Sequence, residues 1–313
     1  YRLRRLGATK IQLGIQTLDD QVSKMNKRGE TKAQVARAFN LLRDAGFKLH
    51  AHMMPNLYGA TPELDMDVYR QLFEEPGFKP DEVKIYPTST IKYTELHELE
   101  QEGKYEPYST EQLISLIAKM MEQTPEYCRL TRIIRDIPSQ EIEAGNKTTN
   151  LREYVEWRLK KEGRANPNIR AREVKDLKVT SDDLTLDIIE YETTNTSEFF
   201  MQFITKERKI AGFLRLSLPK QEKNEVTKEL DNCGMIREVH VYGPALRLKK
   251  KSLGEAQHLG LGSTLINEAK KITKEKGFNR LAVISAIGTR EYYDKRGFKL
   301  DHLYQIADLS LEE

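Results

Sequence analysis

The sequence predicts an α/β chain in two parts: a partial parallel β/α barrel, then a mixed sheet built around a strand, a glycine loop and a helix. Three observations predict it. Strand-like and helix-like patterns alternate through the first hundred residues, as in βαβ units. Three consecutive strand candidates with short polar turns begin near residue 184, the pattern of an antiparallel meander. Gly260 and Gly262 then separate a later strand from an amphipathic helix. The expected divisions are residues 1–95 for the barrel part, 96–180 for a basic bridging segment and 181–313 for the second sheet.

Each element has its own signal. Lys10–Gln16 reads as a strand with apolar residues two apart. A polar helix follows from Asp19. Thr31 opens another, with Gln34 completing a capping box, Val35, Phe39 and Leu42 on the buried face and Gly46 as the C′ stop. Strands over 47–53 and 81–86 flank a helix around Val68, Leu72 and Phe73 that ends at Pro76-Gly77. Three strands are too few to close a barrel. Leu113, Ile114, Ile117 and Met121 fit one helix face, residues 130–135 a strand and Leu151–Lys161 a helix. The meander occupies 184–193, 198–205 and 210–218, and 235–242 is the next strand. Beyond the loop, Leu265, Ile266, Ala269 and Ile272 share a helix face, 280–285 is a strand, and Tyr292 and Tyr293 sit on a short helix before Gly297.

Composition narrows the function classes. Hydrophobic residues at 38% and charged residues at 32% are the balance of a soluble globular protein. No apolar run approaches the roughly 18 residues a membrane helix needs, so no membrane partner is expected. Cys128 and Cys233 alone supply thiols, which suits a cytoplasmic compartment and leaves too few for an all-cysteine metal or iron–sulfur site. The first residue is Tyr1, so the chain is expected to begin inside a longer reading frame or at an engineered boundary. Residues 128–178 carry thirteen Lys/Arg against eight Asp/Glu, although the net charge of the chain is only +3. That segment is a candidate to face phosphate, or a solvated stretch of basic helices.

Gln257-His258-Leu259-Gly260-Leu261-Gly262 lies between a strand and a helix. Glycines let the backbone approach a ligand, and the following helix adds its positive end, a combination suited to pyrophosphate. The pattern Gln-x-x-Gly-x-Gly resembles the pyrophosphate loop of the GNAT superfamily of N-acetyltransferases. Arg237-Glu238-Val239-His240-Val241-Tyr242-Gly243 and Arg290-Glu291-Tyr292-Tyr293-x-Lys295-x-Gly297-Phe298 extend the match. So do Leu13-Gly14-Ile15-Gln16-Thr17, Asn26-Lys27-Arg28-Gly29, His52-Met53-Met54-Pro55, Lys84-Ile85-Tyr86-Pro87, Arg135-Asp136-Ile137-Pro138 and Asn150-Leu151-Arg152. Together, in this order and over essentially the whole chain, they resemble the family of the catalytic subunit of Elongator.

The resemblance implies a radical S-adenosylmethionine (radical SAM), TIM-like barrel joined to a GNAT-type fold. It implies an acyltransferase acting on tRNA at wobble uridine 34, with acetyl-CoA as carbon donor and a SAM-derived radical forming 5-carboxymethyluridine. Implied cofactors are acetyl-CoA and, in the full-length protein, S-adenosylmethionine and a 4Fe–4S cluster; implied partners are tRNA and Elongator-type subunits. The family's cluster cysteines lie in a part of the barrel this chain lacks, so the chain alone is expected to hold the acetyl donor without generating the radical. The family's Cys-x-Cys-x-x-Cys motif is also replaced around Asn166 and Asn168, where no metal is expected and hydrogen bonds and packing must hold the loop. Alternatives from other classes are a lysine (histone or protein) N-acetyltransferase and a non-catalytic acetyl-CoA- or tRNA-binding module.

Carried over residue by residue, Glu238, Val239, His240 and Val241 form the strand that splays from its neighbour and offers its backbone to the pantetheine. Gln257, His258, Gly260, Leu261 and Gly262 form the pyrophosphate loop, and Tyr292 or Tyr293 stands at the thioester. Adjacent helical residues point about 100° apart, so only one tyrosine faces the sulfur, with Tyr292 preferred. A phenol is ordinarily protonated at neutral pH and can donate to a leaving thiolate. Glu238 is either a general base with a carboxyl raised by burial or a strand carboxylate paired with Arg237 or a lysine. His240, two residues on, shares its face. His50 and His52 alternate on one strand, without an evident third metal ligand. Arg129, Arg132, Arg135, Lys147, Arg152, Arg158, Lys161 and Arg164 are the candidate tRNA contacts. Tyr154 and Trp157 either stack on bases or pack their helix against the barrel, with packing expected for Trp157. Residues 247–251 attract the CoA 3′-phosphate or tRNA, or are merely solvated.

Overall fold

The computed structural model describes residues 1–134, 139–145, 150–175, 177, 179–242 and 260–310. It forms two compact units. The first contains Gln12–Ala38 and Leu49–Ala171; the second contains Tyr1–Ile11, Phe39–Lys48 and Arg172–Glu313.

In chain order the elements begin with helix α1 (Arg2–Arg5), strand β1 (Lys10–Gln16), α2 (Asp20–Met25), α3 (Lys32–Asp44), β2 (Lys48–Met53), α4 (Pro62–Glu74) and β3 (Glu82–Ile85). There follow β4 (Thr90–Ile91), α5 (Glu95–Gln101), α6 (Thr110–Gln123), β5 (Arg129–Ile133), β6 (Ile142–Ala144), α7 (Leu151–Lys161) and α8 (Ile169–Arg172). Local chemistry sets their ends. Asp19 caps α2 through Val22 N–H at 2.7 Å. Thr31 and Gln34 exchange the two bonds of a capping box at the start of α3. Gly46, at φ +78°, closes that helix. The sheet order is β1-β2-β3-β5, with β2–β3 and β3–β5 parallel. The expected parallel partial barrel is present, with a fourth strand. Leu113, Ile114, Ile117 and Met121 of α6 are buried, and α6 packs against α4 and α7.

The second sheet contains β7 (Thr185–Glu192), β8 (Thr196–Ile204), β9 (Ile210–Pro219) and β10 (Gly234–Val241). Helix α9 (Leu261–Glu275) leads to β11 (Arg280–Val283), α10 (Arg290–Asp294), β12 (Lys299–Asp301) and β13 (Tyr304–Asp308). Seven strands lie in the order β12-β13-β11-β10-β9-β8-β7. Only β10 and β11 run parallel; β7 to β10 form the antiparallel meander. One face is apolar. Leu214, Leu216, Ile236, Leu281 and Val283 meet Leu265, Ile266, Ala269 and Ile272 of α9 there.

The opposite face buries charge. Glu198 Oε2 accepts from Arg237 Nη2 at 2.7 Å and Nε at 3.1 Å. Its Oε1 accepts from Ser217 at 2.6 Å and Thr196 at 2.7 Å. Arg43 Nη1 stands 3.8 Å away. The side chains of Arg43, Glu198 and Arg237 are at most 1% exposed.

Candidate active site

The site grows from an irregularity in β10. On a regular strand Ile236, Glu238 and His240 would share one face. The register against β9 instead skips a residue between Ile236 and Glu238. Ile236 stands opposite Leu216, while Glu238 stands opposite Arg215 and His240 opposite Phe213. Arg237 is the extra residue of a β-bulge, and it moves everything after it by one position. Val239 and Val241 take the face that carries Ile236. Arg237 and Glu238, though adjacent, both project from the charged face.

Pairing with β11 stops at the same point. It runs from Gly234 opposite Leu281 to Ile236 opposite Val283, whereas β10 continues to Val241. Beyond Ile236 the edge of β10 turned away from β9 has no strand partner among the described residues.

The first turn of α9 borders this gap. Gly260 caps it at φ +70°, a left-handed conformation that glycine adopts without strain. A Cβ on Gly262 would stand 2.5 Å from Tyr292 Oη, so a side chain there would displace the phenol. The result is a groove of about 340 Å³ whose lining includes Val239, Val241, Gly262, Ser263, Tyr292 and Arg296. The Arg296 guanidinium lies 3.5 Å from the Tyr292 ring centroid. It donates to Ser263 Oγ at 2.7 and 3.1 Å and to Tyr292 O at 2.6 Å. A guanidinium beside a helix N-terminus makes this end of the groove a favourable place for an anion.

Residues 168–298 match the acetyltransferase (GNAT) family, and residues 80–161 the radical SAM C-terminal domain. Among solved structures, the archaeal Methanocaldococcus infernus Elp3 with an N-terminal deletion of residues 1–46 superposes with a TM-score of 0.90, at 34% identity. The match covers 98% of this chain and 74% of that one. The chain belongs to the Elongator complex protein 3 family. The tRNA uridine(34) acetyltransferase of Dehalococcoides mccartyi is 37% identical over 96% of this chain and 66% of its own length. Elongator complex protein 3 of Dictyostelium discoideum is 37% identical over 95% of this chain and 54% of its own length. The chain thus spans about half to two-thirds of these relatives.

In this member of the Elongator complex protein 3 family, the two tyrosines have different environments. Tyr292 is 37% exposed and holds its hydroxyl over Gly262; Tyr293 is 8% exposed. Burial raises the Tyr293 phenol above its usual value, and its ring packs on Phe298. Leu261 is buried against Val174, Val179 and Ala211. The helix starts at Leu261, two residues earlier than the sequence suggests, which puts Gly262 inside its first turn. Arg296 was not among the expected site residues; it lies in the turn after α10 and reaches back to Tyr292 O.

Of the two readings of Glu238, the carboxyl raised by burial is reversed, and the favoured one, a strand carboxylate paired with a lysine, is what the structure has. Burial alone would raise it, but Lys48 and Arg215 outweigh burial and hold it below the usual glutamate range. Lys48 Nζ donates to it at 2.6 Å and Arg215 Nε at 3.0 Å. Arg237, the other partner considered, goes to Glu198 instead. Glu238 does not line the groove, and the bulge is the reason. Glu238→Gln is therefore expected to lower stability by on the order of 3 kcal/mol in urea denaturation while cofactor affinity stays within twofold. A 100-fold loss of turnover with unchanged stability would restore the general base. His240 stacks on Phe213, with ring centroids 5.7 Å apart.

The basic candidates are dispersed. Arg152 pairs with Glu156, Arg158 with Glu111 and Glu162, and Arg164 with Glu122 and Glu162. Arg129 and Arg132 lie on β5. Arg135, Lys147, Gln257, His258 and residues 247–251 fall outside the described residues. Trp157 corrects another expectation: it is 54% exposed and does not pack its helix down.

His50 is buried between Glu82, 3.2 Å from Nδ1, and Thr131, 3.0 Å from Nε2. His52 meets Gln12 at 3.0 Å. Among the described residues no cluster of three or more His, Cys, Asp or Glu is arranged to hold a metal. In the loop that carries asparagines at the cysteine positions, Asn168 is fully buried, donates to Asn166 Oδ1 and accepts from Arg170 N–H.

Proposed function

We propose that the groove between β10 and α9 holds acetyl-CoA, and that the protein containing this chain modifies wobble uridine 34 of tRNA to 5-carboxymethyluridine. The observation that carries this reading is the parting of β10 from β11 beside the α9 N-terminus. The residues present fit the cofactor. The unpaired β10 edge matches the amides of a pantetheine arm, and only a glycine at 262 leaves the phenol its place. Arg296 supplies a cation for the pyrophosphate. When bound, acetyl-CoA supplies an activated two-carbon thioester. Tyr292 orients the thioester end and donates its phenolic proton to the departing sulfur. Val239 and Val241 keep that end of the groove apolar. Cys128 and Cys233, both buried, provide no set of three thiolates, so no step is assigned here to an iron–sulfur cluster. Partner subunits of the Elongator type and a cytoplasmic setting belong to the same reading. Among the described residues, no helix is long and apolar enough to cross a membrane.

The test is acetyl-CoA hydrolysis by the full-length protein. Addition of tRNA is expected to stimulate release of free CoA, and Tyr292→Phe to lower the stimulated rate by on the order of 100-fold with KM little changed. A rate indifferent to tRNA would overturn the assignment. Acetylated lysines on a protein substrate would favour N-acetyl transfer instead.

A further inference from the structure

Helix α7 has one face too many for a simple packing role. Leu151, Val155 and Leu159 recur every four residues, are at most 1% exposed and seat it on its own unit. Tyr154 and Trp157 point elsewhere, 44% and 54% exposed, with ring centroids 5.8 Å apart. Trp157 is the only tryptophan in the chain. Leaving such a ring in water forgoes the stabilisation its burial would bring, so two adjacent exposed rings mark a contact surface more than chance placement does.

The surrounding charges select the occupant. Arg152, Arg158 and Arg164 are tied to carboxylates of the same unit. Lys160 and Lys161 have no carboxylate partner among the described residues. They lie three and four residues beyond Trp157, and Lys161 Nζ sits 5.0 Å from the Trp157 ring centroid. Glu153 and Glu162 are the exposed carboxylates on the flank, and Glu162 is engaged by Arg158 and Arg164. An aromatic platform edged by two unneutralised lysines matches a nucleobase and its neighbouring phosphates. A hydrophobic protein helix would use the rings and leave the lysines idle.

We infer that Tyr154 and Trp157 form a stacking platform for an unpaired nucleobase of RNA, with Lys160 and Lys161 engaging the adjoining backbone. This rests on the reading of the substrate as tRNA and adds a site outside the acetyl-donor groove.

The single tryptophan makes the platform observable. The chain is titrated with a tRNA anticodon stem-loop while tryptophan fluorescence is followed, and affinity is measured in parallel by filter binding. Stacking is expected to quench the fluorescence at the same RNA concentration that fills the filter-binding curve. Heparin, a polyanion without bases, should leave it unquenched. Trp157→Ala should weaken RNA binding by on the order of tenfold, and Trp157→Phe, which keeps a ring, by much less. Trp157 is exposed, so neither variant opens the core. RNA binding with unchanged fluorescence and an unaffected Trp157→Ala variant would overturn the platform and leave the tRNA reading standing. Equal quenching by heparin would also overturn it. Absence of RNA binding by every variant and by the parent chain would remove the tRNA reading and the platform together.

Discussion

Replacing Glu198 with alanine is expected to destabilise the unit containing the seven-stranded sheet by about 3–5 kcal/mol. The substitution leaves Arg237 and Arg43 as buried cations with their shared carboxylate gone. Arg237 would retain a bond to Phe47 O at 3.2 Å, which cannot balance its charge. Urea denaturation reads the loss; a change under 1 kcal/mol would mean that water enters and replaces the carboxylate. Acid should act the same way. Burial works to raise the Glu198 carboxyl, but Arg237, then Arg43, Ser217 and Thr196 outweigh it and hold it below the usual value of 4.5. A folded-state value below the unfolded one means that the contribution is fully present above about pH 4.5. It fades as pH falls through the lowered folded value. Glu198→Ala should therefore flatten the acid limb of the stability profile as well as lower its plateau.

The second large effect is expected at Gly262, and it should be functional. An added methyl group would press on Tyr292 Oη, whose ring is held under the Arg296 guanidinium. Gly262→Ala should weaken acetyl-CoA binding by about tenfold and Gly262→Val by about 100-fold, the range of an overpacking penalty of 1–3 kcal/mol. Isothermal titration with acetyl-CoA measures this. Tyr292→Ala in the Gly262→Ala background should restore affinity by removing the colliding hydroxyl, without restoring turnover. Equal affinities for Gly262→Val and the parent chain would mean that the cofactor does not use this groove.

Much of this architecture was legible in the sequence because it rests on local rules. The capping box at Thr31, the glycine stop at Gly46 and the apolar stripe of α9 each declare themselves within a few residues. Strand β1 and helix α7 were readable to their ends. Strand β12 was not, because it has three residues and all are exposed, with no alternation to mark it. The site was half legible. Its glycines and tyrosines stand in a motif, but the face each β10 residue takes does not. Alternation counted from Ile236 turns Glu238 toward the groove. One bulged residue, set by pairing with a strand more than twenty positions away, turns it to Lys48 and Arg215. Arg43 stands in no motif, and only the fold reveals the buried Glu198 opposite it.

The parting of β10 and β11 has a thermodynamic side. Open backbone edges normally lie at the rim of a sheet, yet residues 237–241 leave one without a strand partner, among the described residues, in the middle of seven strands. On the proposed reading, the acetyl donor fills that place as a surrogate strand, and its binding belongs to the folding equilibrium by mass action. A ligand at 100 times its dissociation constant adds about 2.7 kcal/mol to the stability of the state that binds it. The supply of the donor would then set how firmly this sheet holds together, so that a starved enzyme is a softer one.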